Sequence, residues 1–414
     1  MEDTKLEVSR RALLKSGAVG GVTLGTISSV ASDRAEGVEI DSCSTITEPG
    51  TYELTADVSA SRFDCIQIRS DDVVLDGNGY ELALEESARA RFEAMGIPSR
   101  GNRLYGTGVG ASGGIENVTV RNLTVSTWDT GVWFEDVTDG SIDTVTATGN
   151  ADGIAVDDST GTTVSGSVAT KNVAEGIVFY STNESTVVES VADGNSRAGI
   201  ALIDSARNTV RDVAVAGNGG DGLVLEGADH NDLSALTASE DTAGVTLVHS
   251  RGNRVSDVGI DRSGFAGIAL GYAPENELTG VTVSDTGGDV RLEEAPSAIW
   301  LYAATGNRFE EIRSVRNDVW TIYARDESVA NRFEDVTIDG GQPFSITVSD
   351  EAVDRHGNVS PVLGEDDGSV PLSVSTRRSL EGTDRETLSA PRQRGNVNQN
   401  GGRGFSHSEA SRSV

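Results

Sequence analysis

Lysine is almost missing from this sequence. Three occur in 414 residues, Lys5, Lys15 and Lys171, while acidic residues number 65 against 33 Lys and Arg in total, for a formal net charge of −32. A chain so short of cations has no basic footprint, which excludes nucleic acid as a partner. An anionic polymer would need cations placed locally. Histidine is scarce and scattered (four residues), and methionine occurs twice, once as Met1. Copper needs clusters of His, Met or Cys, so copper binding is rejected. Calcium between surface carboxylates stays open, but no signature motif is present; no cofactor is expected. Cysteine is limited to Cys43 and Cys65. One disulfide clasping the first coil would suit an exported chain, and two buried thiols are the alternative.

Glycine is plentiful, and it is periodic. Leading glycines fall at Gly108, Gly131, Gly153, Gly176, Gly199, Gly222, Gly244 and Gly267, spaced by 22 or 23 residues. The frame continues through Ala298-Ile299-Trp300-Leu301 and Thr321-Ile322-Tyr323-Ala324. Two asparagine columns accompany it: Asn150, Asn172, Asn195 and Asn218, then Asn208, Asn231, Asn253, Asn276, Asn307 and Asn331. Inside each unit apolar residues alternate in short runs broken by Asn, Gly, Ser and Asp, which is strand periodicity. No unit offers a helical face. Repeats of this length without helix predict an all-β solenoid of about ten to twelve parallel coils, with asparagines hydrogen-bonding up and down at the corners.

The repeat, with Pro49-Gly50-Thr51-Tyr52-Glu53-Leu54, Cys65-Ile66-Gln67-Ile68 and Val74-Leu75-Asp76-Gly77-Asn78-Gly79 ahead of it, resembles the right-handed parallel β-helix proteins of the pectin-lyase-like superfamily, most of all their NosD-type repeat branch. The resemblance covers roughly residues 43–346. It implies a right-handed single-stranded parallel β-helix. It implies little about function, since lyases, hydrolases, epimerases, adhesins and others share that fold.

Ser9-Arg10-Arg11-Ala12-Leu13-Leu14-Lys15 resembles a twin-arginine export signal, with Leu13 where Phe is usual. The apolar stretch behind it is short and glycine-rich for a membrane span, so residues 1–31 are read as a removed signal, with an uncleaved anchor as the alternative. The acid excess with few lysines resembles proteins of salt-loving archaea. The β-helix is expected over 32–358. Two insertions interrupt it, at about 85–107 and 285–297, both just before a leading strand; the first reads as a short helix over 85–95. Val74 and Val120 are placed in one column. Residues 359–414 read as a low-complexity, disordered tail. N-glycosylation sequons stand at Asn117, Asn122, Asn183 and Asn358.

Along each leading strand the first and third residues after the glycine are predicted to face in and the second and fourth to face out. The outward pairs are plain in the middle coils. One end carries Trp133, Glu135, Asp157 and Tyr180; the other carries Trp300, Tyr302, Tyr323 and Arg325. Exposed aromatics with polar neighbours suit sugar rings; the same aromatics would also suit packing beneath the insertions. Glu135 and Asp157, one coil apart, are placed on the order of 5 Å from each other, a spacing compatible with a retaining carboxylate pair. Other motifs are incomplete. Asn150-Ala151-Asp152-Gly153 with Asp157-Asp158 departs from the polygalacturonase pattern, and Asp354-Arg355-His356-Gly357 matches the alginate-epimerase motif at two of four positions. Lys171 reads as a solvated turn. The expected function is binding, with or without processing, of an extracellular or cell-surface polysaccharide; the alternative is a non-catalytic surface scaffold.

Overall fold

In the computed structural model, residues 37–88, 106–287, 296–317, 319–325 and 328–339 are described, with backbone alone at 345–346, 353–356 and 360–361. The twin-arginine segment, most of both insertions, Asn358 and the tail apart from the strand Ser360–Pro361 lie outside the described residues. The fold is a right-handed parallel β-helix of about 12 turns. Thirteen leading strands stack into one parallel sheet; twenty-one strands form a second, bent sheet that closes each coil.

Inward columns build a continuous core. Ile154 and Val156, Ile177 and Phe179, Ile200 and Leu202 are fully buried, and each pairs in register with its equivalent on the next coil. Phe309 stacks on Phe333 at 4.5 Å. Trp128 is also internal; its Nε1 donates to the Leu82 carbonyl at 3.2 Å. Cys43 and Cys65 are joined by a disulfide that ties the first coil to the second.

The bent sheet turns at one left-handed residue per coil. Asn122, Thr144, Glu189, Asp212, Ala235, Asp257, Glu311 and Asp335 hold that column, each with φ between 50° and 54°. Among the described residues of this column Gly166 and Gly280 are glycines. Six of these ten residues are thus Asn, Asp or Gly, which take left-handed backbone most readily; at Thr144, Glu189, Ala235 and Glu311 it costs about 1–2 kcal/mol, and coil closure imposes it. At those four coils the sequence did not mark the corner.

Two asparagine ladders run inside the other corners. In one, Asn208, Asn231, Asn253, Asn276 and Asn307 each donate Nδ2 to Oδ1 of the next member, ending at Asn331, over 2.9–3.2 Å. In the other, Asn150, Asn172 and Asn195 do the same toward Asn218. These side chains are 0–4% exposed. They satisfy backbone groups that closing the coil would otherwise leave buried and unpaired.

One register expectation is corrected. Val120 pairs with Leu75, not Val74, and the two strands are neighbours. The intervening residues therefore amount to a single coil plus its insertion. Of the predicted helix, residues 86–88 are helical and 89–95 lie outside the described residues. The first interruption falls between strands Glu81–Leu84 and Thr107–Glu116, the second between Glu277–Ser284 and Ser297–Tyr302. Both occupy the corner that feeds the leading sheet.

Candidate functional site

The outward face of the leading sheet brings the first predicted patch together. Trp133 lies beside Ala155, then Val178, Ala201 and Val224; in the next outward column Glu135 is followed by Asp157, Tyr180, Ile203 and Glu226. The middle of this face departs from the expected bland exposed surface. Val178 is 0% and Ala201 1% exposed. With Ala155 and Ala198 they form a second apolar cluster outside the core, against which Trp133, Tyr180, Ile203 and Val224 pack. Tyr180 and Trp133 are half-buried, so each presents a partial face.

Glu135 and Asp157 are direct neighbours across the strand pair. Their environments differ from the expected open pair: Glu135 is half-buried, whereas Asp157 is only 5% exposed. The correction has a packing cause, because Asp157 sits between Glu135 and the Tyr180 ring position at the rim of the apolar cluster.

A second acid pair, missed in the sequence, lies at the opposite edge of the same face. Asp152 and Glu175 are the residues immediately before Gly153 and Gly176, so the repeat stacks them on consecutive coils. Glu175 donates its backbone N–H to Asp152 Oδ1 at 3.3 Å, and the two carboxyls share a hydrogen bond. Burial, first, and then the charge and hydrogen bond of Glu175, push Asp152 up to about 7, with Asp129 adding repulsion. Arg197 holds Glu175 at 3.0 Å. A carboxyl kept neutral near pH 7 can donate a proton, the property a general acid needs. The signal was available as acidic residues before two successive leading glycines, and again as Asp221 before Gly222, but Ala198, Ala243 and Ala266 hold the same position on other coils, which hid it.

The second patch is also assembled. Trp300 and Tyr302 stack at 5.8 Å and 8°; Tyr323 and Arg325 flank them on the next coil. Tyr302 meets Tyr272 edge-on at 5.2 Å, and Tyr272 stacks on His249 at 5.0 Å. Phe265 packs edge-on against Trp300 at 5.7 Å. Tyr272 is 49% exposed. Strand alternation could not find Tyr272 and His249, which occupy a left-handed corner just past the strand, each with φ 50°.

The remaining candidates are surface features. Asn117 donates Nδ2 to Asp72 at 2.6 Å and Asn122 to Asp76 at 3.2 Å; both are exposed, and Asn183 is half-buried. Lys171 is an exposed left-handed turn residue in the column of Gly149, Gly194 and Gly217. The strand Val353–His356 pairs with Asn331–Glu334. No helix among the described residues is long and apolar enough to cross a membrane.

The chain is thus a right-handed parallel β-helix protein whose leading sheet carries two aromatic patches on its outward face. Residues 88–255 match the family described as periplasmic copper-binding protein (NosD), and residues 201–359 match the right handed beta helix region. Among the described residues no three His, Cys, Asp or Glu are grouped to hold a metal, the cysteines are bonded to each other, and the His249 ring is stacked on Tyr272. A search of curated proteins gives no match. Among solved structures the chain is similar to the A-module of Azotobacter vinelandii mannuronan C-5 epimerase AlgE4, with 18% identity, TM-score 0.62, and 75% of this chain and 91% of that one covered. It is similar to a double mutant of the periplasmic alginate epimerase AlgG, with 14% identity, TM-score 0.55, and 76% and 79% covered. The catalytic domain of a GH87 alpha-1,3-glucanase in complex with tetrasaccharides follows at 15% identity, TM-score 0.50, and 73% and 56% covered. At these identities the likeness is one of fold.

Proposed function

We propose that this protein is exported by the twin-arginine route and binds and processes a polysaccharide along the outward face of its leading sheet. The observation that carries the reading is two half-buried aromatics on one outward face, Trp133 with the Glu135–Asp157 and Asp152–Glu175 pairs on either side and Tyr180 next to Asp157 in its column. Aromatic faces suit the apolar faces of sugar rings, and the polar edges suit their hydroxyls. Asp152 is the proton donor in this reading, with Glu175 on the next coil as its neighbouring carboxylate, and it replaces the open Glu135–Asp157 pair as the first candidate for chemistry. Similarity in fold to epimerases and a glucanase supports a carbohydrate ligand without specifying it.

Glycan-array binding followed by Trp133→Ala is the test. The native protein is expected to retain at least one glycan class, and Trp133→Ala to weaken that binding about tenfold, since a stacked aromatic contributes about 0.5–1.5 kcal/mol beyond its buried area. No binding to any glycan would leave a structural scaffold as the function.

A further inference from the structure

Gly271 marks a gap in the second aromatic patch. It lies in the outward column between Val248 on the preceding coil and Tyr302 on the following one. It is buried, yet a Cβ added there would meet no atom within 4 Å. The floor of this notch is therefore backbone, with Ala269 beside it in the same strand. Tyr302 and the ring stacked on it, Trp300, form one wall. Tyr272, edge-on to Tyr302 and half-exposed, closes the end of the strand. Val248 and Tyr302 are two coils apart, roughly 10 Å at the backbone, which leaves the width of one ring with its van der Waals contacts.

We propose that this notch is a second sugar subsite, and that the ligand is an uncharged linear glycan long enough to occupy it and the Trp133–Tyr180 patch together. This rests on the carbohydrate reading above. Tyr180 and Gly271 share one outward column, separated by Ile203, Glu226 and Val248. Four coils at about 4.8 Å give roughly 19 Å between them. The parallel column between the patches holds Ala201, Val224, Thr246 and Ala269, side chains short enough for a chain to lie across. The ligand is uncharged because the path is acidic. Glu135, Asp157, Asp152 and Glu175 stand at its Trp133–Tyr180 end and Glu226 along it, Arg197 is engaged by Glu175, Arg325 stands at the far end beyond Tyr302, and the whole chain carries −32. A polyanion would meet like charge along its length.

The test is calorimetric titration with cello- and manno-oligosaccharides from disaccharide to octasaccharide, and with oligogalacturonates as the charged control. Native protein is expected to bind the neutral series with a steep gain in affinity at the length that bridges the two patches. Gly271 is outside the left-handed region, so Gly271→Leu fills the notch without backbone strain. That variant should lose the gain, about tenfold or more, while short oligomers bind as before. Tyr272→Ala, at an exposed position, is a second variant expected to act in the same direction should Gly271→Leu melt early. A native length series without a step, full long-chain affinity in both variants, or tighter binding of oligogalacturonates would each overturn the subsite while leaving carbohydrate binding intact. Absence of binding to every glycan would overturn both.

Discussion

Asn218 donates both its backbone N–H and its Nδ2 to a single oxygen, Oδ1 of Asp241, at 2.8 and 2.9 Å. Asp241 thereby takes the next rung of an asparagine ladder. Every preceding rung also donates Nδ2 to a main-chain carbonyl one coil back: Asn172 to Ala147, Asn195 to Ala169, Asn218 to Ala192. By the same register the partner of Asp241 is the Val215 carbonyl. The atom in that position is Oδ2, buried and unpaired. An ionised carboxylate sets acceptor against acceptor, whereas the neutral acid donates as an amide does. Burial pushes Asp241 up to about 6, opposed by the hydrogen bonds from Asn218 and reinforced by the charge of Asp221.

Asp241→Asn should therefore stabilise the protein at neutral pH, by about 2 kcal/mol. The sign follows from linkage. With a folded value above the unfolded one, Asp241 holds a proton in the native state that the unfolded chain has released. Stability from this residue is complete below pH 4 and declines as pH rises to about 6. Chemical denaturation across pH 4–8 should show that slope in the native chain and a shallower one in Asp241→Asn.

Asn253→Ala addresses the complete ladder. Asn253 Oδ1 accepts two bonds from Asn231, and its Nδ2 donates to Asn276 and to the Ala228 carbonyl. Truncation leaves buried donors and acceptors without partners on both neighbouring coils. A loss of about 2–4 kcal/mol is expected, well beyond that of an exposed Asn such as Asn117→Ala. Thermal melts of the two variants side by side would check it.

Asp152→Asn should abolish processing while sparing glycan affinity, because the amide keeps the shape but has no acidic proton. In the native chain, turnover should fall as pH rises through about 7, where Asp152 loses its proton. A pH–rate profile unchanged on substitution would remove Asp152 from the chemistry.

Cys43→Ser opens a link between residues 22 apart. Loss of that closure is expected to cost about 3 kcal/mol. A reducing agent should lower the melting temperature of the native chain and leave the variant unaffected.

Much of this was legible in advance, and for a definite reason. A solenoid converts sequence period directly into spatial stacking, so a glycine every 22 or 23 residues and an asparagine column fix the coil, the inward columns and the corner ladders. Glu135 beside Asp157, and Trp300 beside Tyr323, followed from the same arithmetic. What the period could not supply was depth. Whether an outward residue is open or covered depends on neighbours from adjacent coils, so Asp157 proved buried and Val178 joined a second apolar cluster. Nor could it supply the corners. The Asn, Asp and Gly preference of the left-handed column is broken at Thr144, Glu189 and Ala235, and Tyr272 and His249 leave the alternation before their rings meet.

The amino-acid sequence by itself determined the fold, because each coil repeats one pattern of backbone pairing that its own residues specify. Only the tertiary structure decided where chemistry could reside. The burial of Asp152 against Glu175, and the gap above Gly271, arise from distances between coils, which set burial, charge coupling and empty space, and none of these is a property of any single repeat.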